Sequence, residues 1–287
     1  MNSDQFVDWL GRQNQSELHN TFEKPLIMGV LNVTSDSFFD GGKFLSVNRA
    51  CEHAFHLIAQ GADIIDIGGE STKPGVLPAP LDLELSRVIP VIEQIRAHSD
   101  ICISIDTYKP ETMAAAVYAG ANIINDIYAL RQEGALSVAA KAGVPVCLMH
   151  MQGQPHNMQE NPQYANGVIE DLKQFFTERI NACEQAGIDK KRLILDPGFG
   201  FGKLVGHNLQ IIYNIEQLRD LQLPLLLGVS RKSTIGAVLD KKVSDRLIGS
   251  LSIAVYAALK GVGILRTHDV DETRQALDMI DAICQSG

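Results

Sequence analysis

Polar or charged residues close each of eight short apolar runs along the chain. In order they are Asn32, Asp66, Asp106, Asn125 with Asp126, His150, Asp196, Ser230 leading to Lys232, and Arg266 with His268. Carboxylate and amide groups can pair with the donor edge of a flat, guanidine-like heterocycle, and a lysine can donate to its acceptors. Asp106, Asn125 and Asp196 supply groups of the first kind. Lys232 supplies the second, so these positions indicate a heterocycle site.

Cationic residues in the C-terminal third of the chain are candidates for binding an anion. They are Lys203, Arg231, Lys232, Arg266 and His268. Arg266 and His268 follow the last apolar run, and the segment SRKSTIG at 230–236 follows the run before it. The loops after strands 7 and 8 of a (β/α)8 barrel commonly bind phosphate. A heterocycle at the centre and a phosphate group at one side therefore describe the expected ligand.

One repeating unit is expected to position these residues: an amphipathic stretch, a glycine that ends a helix, and a short apolar run. The glycines are Gly61, Gly120, Gly143, Gly187 and Gly261. Glycine is the usual residue there because it adopts the left-handed conformation without steric cost. The apolar runs span about residues 25–32, 63–67, 101–106, 122–126, 144–150, 193–196, 224–229 and 263–266.

The fold class follows from the character of these runs. They show almost no polar alternation, which is typical of parallel strands that are buried on both faces. Eight such units predict a (β/α)8 TIM barrel in a single domain at 23–287, with 1–22 as a short N-terminal extension packed on the exterior or bottom. An open doubly wound sheet is the alternative, although that fold usually has fewer strands.

Composition restricts the class of protein further. The 287 residues are 45% hydrophobic and 21% charged, with a net charge of -9. Such a charge argues against a nucleic-acid or anionic-membrane partner. No apolar run approaches the roughly 20 residues that cross a bilayer, and the N-terminal segment lacks signal-peptide features, so we expect a cytoplasmic protein. The five cysteines are widely spaced and indicate neither disulfides nor a thiol zinc site.

The glycine-rich segment DPGFGFGK at 196–203 looks like a phosphate-binding loop but does not fit one. It lacks both the glycine spacing and the Ser or Thr after the lysine that a Walker A motif requires. The segment also fails the GxGxxG pattern of dinucleotide-binding proteins. We therefore do not interpret it as a nucleotide site.

Taken together, the segments around the polar positions resemble the dihydropteroate synthase family from about residue 25 to about residue 283. The matching segments are GVLNVTSDSFFDGG (29–42), DIGGESTKPG (66–75), SIDTYKPE (104–111), NDI (125–127), MHMQGQPHNMQ (149–159), DPGFGFGK, SRKSTIG and RTHDV (266–270). The resemblance implies a transferase of folate biosynthesis. Such an enzyme condenses 6-hydroxymethyl-7,8-dihydropterin diphosphate with 4-aminobenzoate and releases diphosphate.

The resemblance also implies a role for individual residues. The residues expected to bind substrates are Asp40, Thr72, Lys73, Asp106, Asn125, Met149, Asp196, Phe201, Lys203, Gly228, Lys232, Ser233, Arg266, Thr267 and His268. Among them, Asp106, Asn125, Asp196 and Lys232 would hold the pterin ring, lined by Met149 and Gly228, and Phe201, Lys203 and Ser233 would face 4-aminobenzoate. Thr72, Arg266 and His268 would contact diphosphate. Asn32 would bind Mg²⁺, and the catalytic residues would be Asp106, Lys232, Arg266 and His268.

Arylsulfonamide inhibition and a homodimer are further implications of the resemblance. The first two strand-end loops, which carry Asp36, Asp40, Thr72 and Lys73, would close over the reaction. They depart from the usual family pattern at three positions: Ser35 in place of proline, Phe39 in place of a small polar residue, and Lys73 in place of arginine. Lysine lacks the planar fork of arginine, so a bidentate contact is not expected at position 73.

Two other functions share parts of this pattern. A pterin-dependent methyltransferase would use the same barrel and the same acidic pocket, but it would not need SRKSTIG or the pair formed by Arg266 and His268. A non-catalytic pterin-binding barrel is the second alternative. Retention of the residues for diphosphate favours the synthase over both.

Overall fold

A computed structural model describes residues 1–13, 22–34, 43–71, 76–153 and 157–286. Among these residues, eight strands form one sheet in which every named pair is parallel. They are β1 (Leu26–Asn32), β2 (Ile64–Gly68), β3 (Cys102–Asp106), β4 (Ile123–Asp126), β5 (Val146–Met149), β6 (Leu193–Asp196), β7 (Leu226–Gly228) and β8 (Ile264–Thr267). A parallel bridge between Leu195 and Leu225 joins the two ends of the sheet. The predicted (β/α)8 barrel is confirmed.

Helices alternate with the strands. They are α1 (Ser3–Gln13), α2 (Lys43–Ala59), α3 (Leu81–Arg96), α4 (Pro110–Ala119), α5 (Ala135–Ala142), α6 (Val168–Gln185), α7 (Val205–Tyr213), α8 (Ser233–Leu239), α9 (Leu247–Leu259) and α10 (Val270–Gln285), with 3-10 helices at Lys190–Arg192, Ile215–Leu221 and Val243–Asp245. All five glycines predicted to end helices have positive φ, as at Gly120 with φ of 116°. None of the described helices is long and apolar enough to span a membrane.

The strands divide their side chains between two cores. One set, including Ile65, Ile103 and Leu148, packs outward against the helices. The other set faces the inside of the barrel at its bottom and consists of Met28, Ile64, Cys102, Ile123, Cys147, Ile194, Leu226 and Ile264. Side chains alternate between the two faces of a strand, so each strand contributes to both cores.

Helix α1 closes the bottom of the barrel. Its Phe6, Trp9 and Leu10 are buried against the inward-facing bottom layer. Trp9 lies so close to Gly263 that a Cβ on that glycine would meet the indole ring at 3.1 Å. Of the two positions predicted for the N-terminal extension, the structure shows the bottom for α1.

The inward-facing residues at the opposite, C-terminal end of the barrel are mostly polar. Two residues beyond the bottom layer, the strands present Asp66, Ser104, Asn125, Met149, Asp196, Gly228 and Arg266, and β3 adds Asp106 two residues later. The two-residue period of a strand therefore turns these groups toward the same space. That end of a (β/α)8 barrel is where its active sites lie.

Candidate active site

Arg266 lies at the centre of the barrel mouth between two carboxylates. Its Nε donates to Asp66 Oδ2 at 2.6 Å, and its Nη2 donates to Asp106 Oδ2 at 2.8 Å. Asp66 is fully buried and also accepts from Asn125 Nδ2 at 3.3 and 3.4 Å. Four strands, β2, β3, β4 and β8, therefore contribute to one hydrogen-bonded group. The guanidinium keeps further N–H donors for another anion.

Several acidic and basic groups at the mouth have strongly shifted pKa values. Burial raises the pKa of Asp106 to about 7, with Arg266 opposing the rise and Asp66 adding to it. Burial also raises the pKa of Asp196, against the effect of Lys232 and of the Gly198 N–H that its Oδ1 accepts at 2.7 Å. Burial lowers the pKa of Lys232 to about 8. A cluster of such groups in a cleft is typical of a functional site.

The space beside Arg266 is bounded by Lys232 and by a residue without a side chain. A Cβ on Gly228 would lie 3.6 Å from Arg266 Cβ and 3.9 Å from Lys232 Nζ. Lys232 Nζ donates to the Phe199 carbonyl at 2.6 Å and lies 4.7 Å from the centre of the Phe201 ring. Gly228 thus leaves room between two cationic side chains, as a flat ligand requires. The predicted grouping of Asn125, Asp196, Lys232 and Gly228 around one space agrees with this geometry.

His268 lies at the edge of this group and is held by Ser230. The Ser230 hydroxyl is 3.2 Å from the backbone N and 3.0 Å from Nδ1 of His268. Desolvation by the surrounding protein, together with the charge of Arg266, lowers the pKa of His268, although the residue keeps an exposed surface. This shift favours a neutral imidazole that acts as a hydrogen-bonding group. The role of His268 as a second cation stays a prediction.

Arg231, a candidate for binding an anion, and Thr267, a predicted substrate-binding residue, both direct their side chains to other partners. Arg231 pairs with Asp269 through both Nε and Nη2. The Thr267 hydroxyl is buried and accepts from Asp269 N at 3.1 Å and from the Thr273 hydroxyl at 3.3 Å, at the start of α10. Thr267 follows Arg266 directly, so the alternation of the strand turns its side chain away from the mouth. This placement argues against a substrate contact by the Thr267 side chain.

The glycine-rich segment after β6 packs tightly against the chain that follows β5. A Cβ on Gly198 would come within 1.9 Å of the His150 carbonyl oxygen, and one on Gly202 within 2.5 Å of the Gln152 carbonyl oxygen. Both glycines also have positive φ, of 66° and 61°. Glycine is needed here for close backbone packing, which explains the motif without a nucleotide.

The residues predicted to face 4-aminobenzoate differ in their accessibility. Ser233 is exposed at the start of α8, and Phe201 is half-buried beside Lys232. Met149, which was predicted to line the pterin slot, is buried in a cluster with Ile127, Met151 and Met158. Phe201 packs against this cluster. Lys203 is only 3% exposed, and its Nζ lies 2.9 Å from His150 Nδ1 and 3.0 Å from the Phe201 carbonyl. Its amine group is therefore directed at His150 and at backbone carbonyls in the interior.

Asn32 is the candidate for holding a divalent cation. It is exposed at the end of β1, opposite Gly68 of β2, and its Oδ1 would lie 3.7 Å from a Cβ on that glycine. The described residues hold no group of three or more His, Cys, Asp or Glu side chains suited to a metal ion. Mg²⁺ takes oxygen ligands and commonly retains phosphate and water oxygens beside one or two protein groups. The single amide oxygen fits that kind of site and does not fit a site made by the protein alone.

Comparisons with known proteins agree with this geometry. A family model described as "Pterin binding enzyme" matches residues 28–268. The dihydropteroate synthase of Escherichia coli (strain K12) is 50% identical over 258 residues, which cover 90% of this chain and 91% of the relative. The chain belongs to the dihydropteroate synthase family. The prediction of a transferase with that activity is thereby confirmed.

Solved structures of dihydropteroate synthases show the same fold. The Yersinia pestis enzyme in a sulfonamide drug complex has a TM-score of 0.87 and 47% identity, covering 92% of this chain and 95% of that one. The Xanthomonas albilineans enzyme in complex with 7,8-dihydropteroate has a TM-score of 0.82 and 44% identity, with the same two coverages. The resemblance found in the sequence segments thus extends over the whole barrel.

Some synthase positions predicted from the sequence lie outside the described residues. They are Ser35, Asp36, Phe39, Asp40, Thr72 and Lys73. In contrast, the sequence analysis named Asp66 among the strand-end residues but gave it no role in the site, although it lies two residues after the inward-facing Ile64 and holds Arg266 directly. That two-residue step was the available signal. The positions assigned to the site were instead those named by the family resemblance.

Proposed function

We propose that the barrel mouth binds 6-hydroxymethyl-7,8-dihydropterin diphosphate beside 4-aminobenzoate and joins them to form 7,8-dihydropteroate. The observation that carries this proposal is the set of inward-facing polar side chains around Arg266. The family assignment supports the same reaction. The roles given below to single residues, to Mg²⁺ and to a second copy of the chain belong to the proposal.

The pterin ring is bound between Asp106, Asn125 and Asp196, with Lys232 donating to a ring acceptor. One oxygen of Asp106 accepts from Arg266, so the other remains for the N–H groups of the ring. Asp196 Oδ1 is likewise committed to Gly198, which leaves Oδ2 for the ligand. An N–H donor on the bound ring stabilises the charged form of a carboxylate whose pKa is raised. The charged carboxylate in turn accepts a stronger hydrogen bond from that donor. Gly228 provides the space for a flat ring.

Arg266 and His268 bind the diphosphate, which leaves before the new bond to nitrogen forms. Negative charge on the leaving oxygen increases as the bond between the methylene carbon and oxygen breaks. Preorganised donors aimed at that charge commonly give the largest part of an enzyme's rate enhancement. Arg266 is held in place before substrate binds by Asp66 and Asp106. Mg²⁺ bound by Asn32 and the diphosphate would supply Lewis-acid neutralisation of the same charge.

The aryl amine of 4-aminobenzoate is the nucleophile, and it attacks the methylene carbon of the pterin. An aryl amine is neutral at pH 7, so its attack requires no strong general base. Phe201 and Ser233 face the aryl group. The bond to diphosphate breaks first, because the electron-rich pterin stabilises a cationic methylene and Asp106 adds negative charge nearby. A reaction rate that does not respond to electron-withdrawing substituents on the pterin would contradict this order.

A second copy of the chain covers an apolar surface on α7, α8 and α9, three helices that pack on one another. The exposed side chains that define it are Leu209, Tyr213, Val238, Leu239, Ile248 and Leu259. Ile248 is 72% exposed and Tyr213 is 69% exposed, which is unusual for large apolar residues that contact no partner. Sedimentation should therefore show a dimer, and Ile248→Glu should give a monomer. A wild-type chain that sediments as a monomer at micromolar concentration would contradict this assembly.

The deciding experiment measures diphosphate release from pterin diphosphate in the presence of Mg²⁺. Release should require 4-aminobenzoate and stop when Mg²⁺ is chelated. Asp196→Asn, which keeps the acceptor for Gly198, should lose pterin binding, whereas Asp220→Asn on the outer surface should behave as wild type. Release without 4-aminobenzoate would indicate hydrolysis of the pterin diphosphate in place of transfer, and no release with both substrates would favour the methyltransferase or the binding protein.

A further inference from the structure

Four consecutive backbone carbonyls after β6 each accept a hydrogen bond from a side chain. The Phe199 carbonyl accepts from Lys232 Nζ at 2.6 Å, Gly200 from Gln159 Nε2 at 2.5 Å, Phe201 from Lys203 Nζ at 3.0 Å, and Gly202 from Tyr164 Oη at 2.7 Å. Three of the four donors come from segments distant in sequence. The path of residues 199–202 is therefore fixed from several directions.

Lys203 differs from the other three donors because it is a buried amine, and burial lowers the pKa of Lys203 well below its usual value. Its Nζ contacts the Nδ1 of His150 at 2.9 Å, the His150 carbonyl at 3.4 Å and the Phe201 carbonyl at 3.0 Å. No carboxylate in the described part of the chain forms an ion pair with it. Burial lowers the pKa of His150 well below its usual value, so the neutral ring can accept a hydrogen bond from Lys203 at Nδ1.

The Phe201 ring connects this buried lysine to the mouth of the barrel. Lys232 Nζ lies 4.7 Å from the centre of that ring, and the ring also contacts the cluster that contains Met149. Any movement of the Phe201 backbone would therefore move an aromatic surface of the mouth and the surroundings of Lys232. Lys203 itself is only 3% exposed and offers no surface to a ligand.

We propose that Lys203 is a positioning residue that holds Phe201 in place for 4-aminobenzoate and does not itself contact the substrate. The inference rests on the proposed function, because it concerns the aryl subsite of that reaction. Loss of the Lys203 amine leaves the Phe201 and His150 carbonyls without this buried donor, which releases the Phe201 backbone. The pterin contacts of Asp106 and Asn125 lie on other strands and keep their geometry, whereas Asp196 and Lys232 contact Gly198 and Phe199 of the same segment.

A double-mutant cycle separates action through Phe201 from direct contact. Lys203→Met should raise KM for 4-aminobenzoate roughly 10-fold, the effect of losing one buried hydrogen bond, and raise the Kd for pterin diphosphate by a smaller factor, because two of the four polar pterin contacts lie on other strands. Once Phe201→Ala has removed the ring, adding Lys203→Met should change KM by less than about 2-fold. The proposal would be overturned if the effects of the two substitutions on KM multiply in the double variant. It would also be overturned if Lys203→Met alone leaves KM unchanged. Lys173→Met, which removes a partly exposed lysine of α6 that pairs with Asp220, is the matched control.

Chemical labelling of the wild-type protein gives a test that does not depend on the folding of any variant. After brief treatment with acetic anhydride, mass spectrometry should find Lys203 unmodified both with and without 4-aminobenzoate, while exposed Lys242 is modified in both samples. A Lys203 that is modified in the free protein and protected by 4-aminobenzoate would be a direct contact, and the proposal would be wrong. Absence of diphosphate release by the wild type would instead count against the proposed function, and the labelling result would still decide where Lys203 lies.

Discussion

Asp66→Asn is the most informative change at this site, because Asp66 fixes the position of Arg266 and contacts no substrate in the proposed complex. The carboxylate is fully buried, accepts from Arg266 Nε at 2.6 Å and lies 3.3 Å from Asn125 Nδ2. Asparagine has the same size but lacks the charge. Its NH2 group must also face either Arg266 or Asn125, and both of these are donors.

The expected magnitude follows from these contacts. A hydrogen bond to a charged group contributes about 1.5 to 3 kcal/mol, and the contacts with Asn125, at 3.3 and 3.4 Å, are long and add little. If the whole of that energy serves to hold Arg266 against the leaving group, kcat should fall about 10- to 150-fold, at 1.36 kcal/mol for each factor of ten. KM for the pterin should change less, because the ring contacts remain.

The assay is steady-state diphosphate release, with thermal unfolding measured on the same samples. Asp63→Asn is the matched control, because Asp63 pairs with Arg274 at 2.5 Å and accepts from Ile27 N at 2.8 Å, just before the same strand begins at the opposite end of the barrel. Both variants should lose stability, but only Asp66→Asn should lose kcat. Equal losses of kcat in the two, or none in either, would refute a specific role for Asp66.

Three further predictions concern the same site. Arg266→Lys should lower kcat about 10- to 1,000-fold and weaken substrate binding less, because lysine cannot bridge two carboxylates and still reach the leaving group. A rise in KM with unchanged kcat would show that Arg266 binds the substrate and the transition state equally. Burial raises the pKa of Asp106 to about 7, compared with about 4 in the unfolded chain. The contribution of protonated Asp106 to the free energy of unfolding is therefore fully present below pH 4 and is lost as the pH rises through 7. The Tm of Asp106→Asn relative to wild type should therefore be higher at pH 8 than at pH 5 in calorimetry, and a difference that does not change with pH would contradict the raised pKa. Arylsulfonamides should compete with 4-aminobenzoate in steady-state inhibition, and competition with the pterin would show that the two subsites are reversed.

Local sequence patterns determined most of the fold. The apolar runs predicted the eight strands, because residues buried on both faces of a strand must all be apolar. The helix-ending glycines were predicted correctly because the left-handed conformation at a helix end is a requirement of the local backbone. The family assignment followed from segments whose order and spacing could be read directly from the chain. Each of these features depends on neighbours within a few residues.

Only the tertiary structure determined how the site residues interact. Asp66 and Arg266 are 200 positions apart, and no local pattern pairs them before the barrel closes. Lys203 was expected to face a substrate, yet the close packing of Gly198 and Gly202 against the chain after β5 directs its amine to His150. The charge state of His268 also depends on burial and on the nearby Arg266. The sequence thus determined which groups are present at the mouth, whereas desolvation and side-chain direction, which arise only in the packed barrel, determined what each group can do.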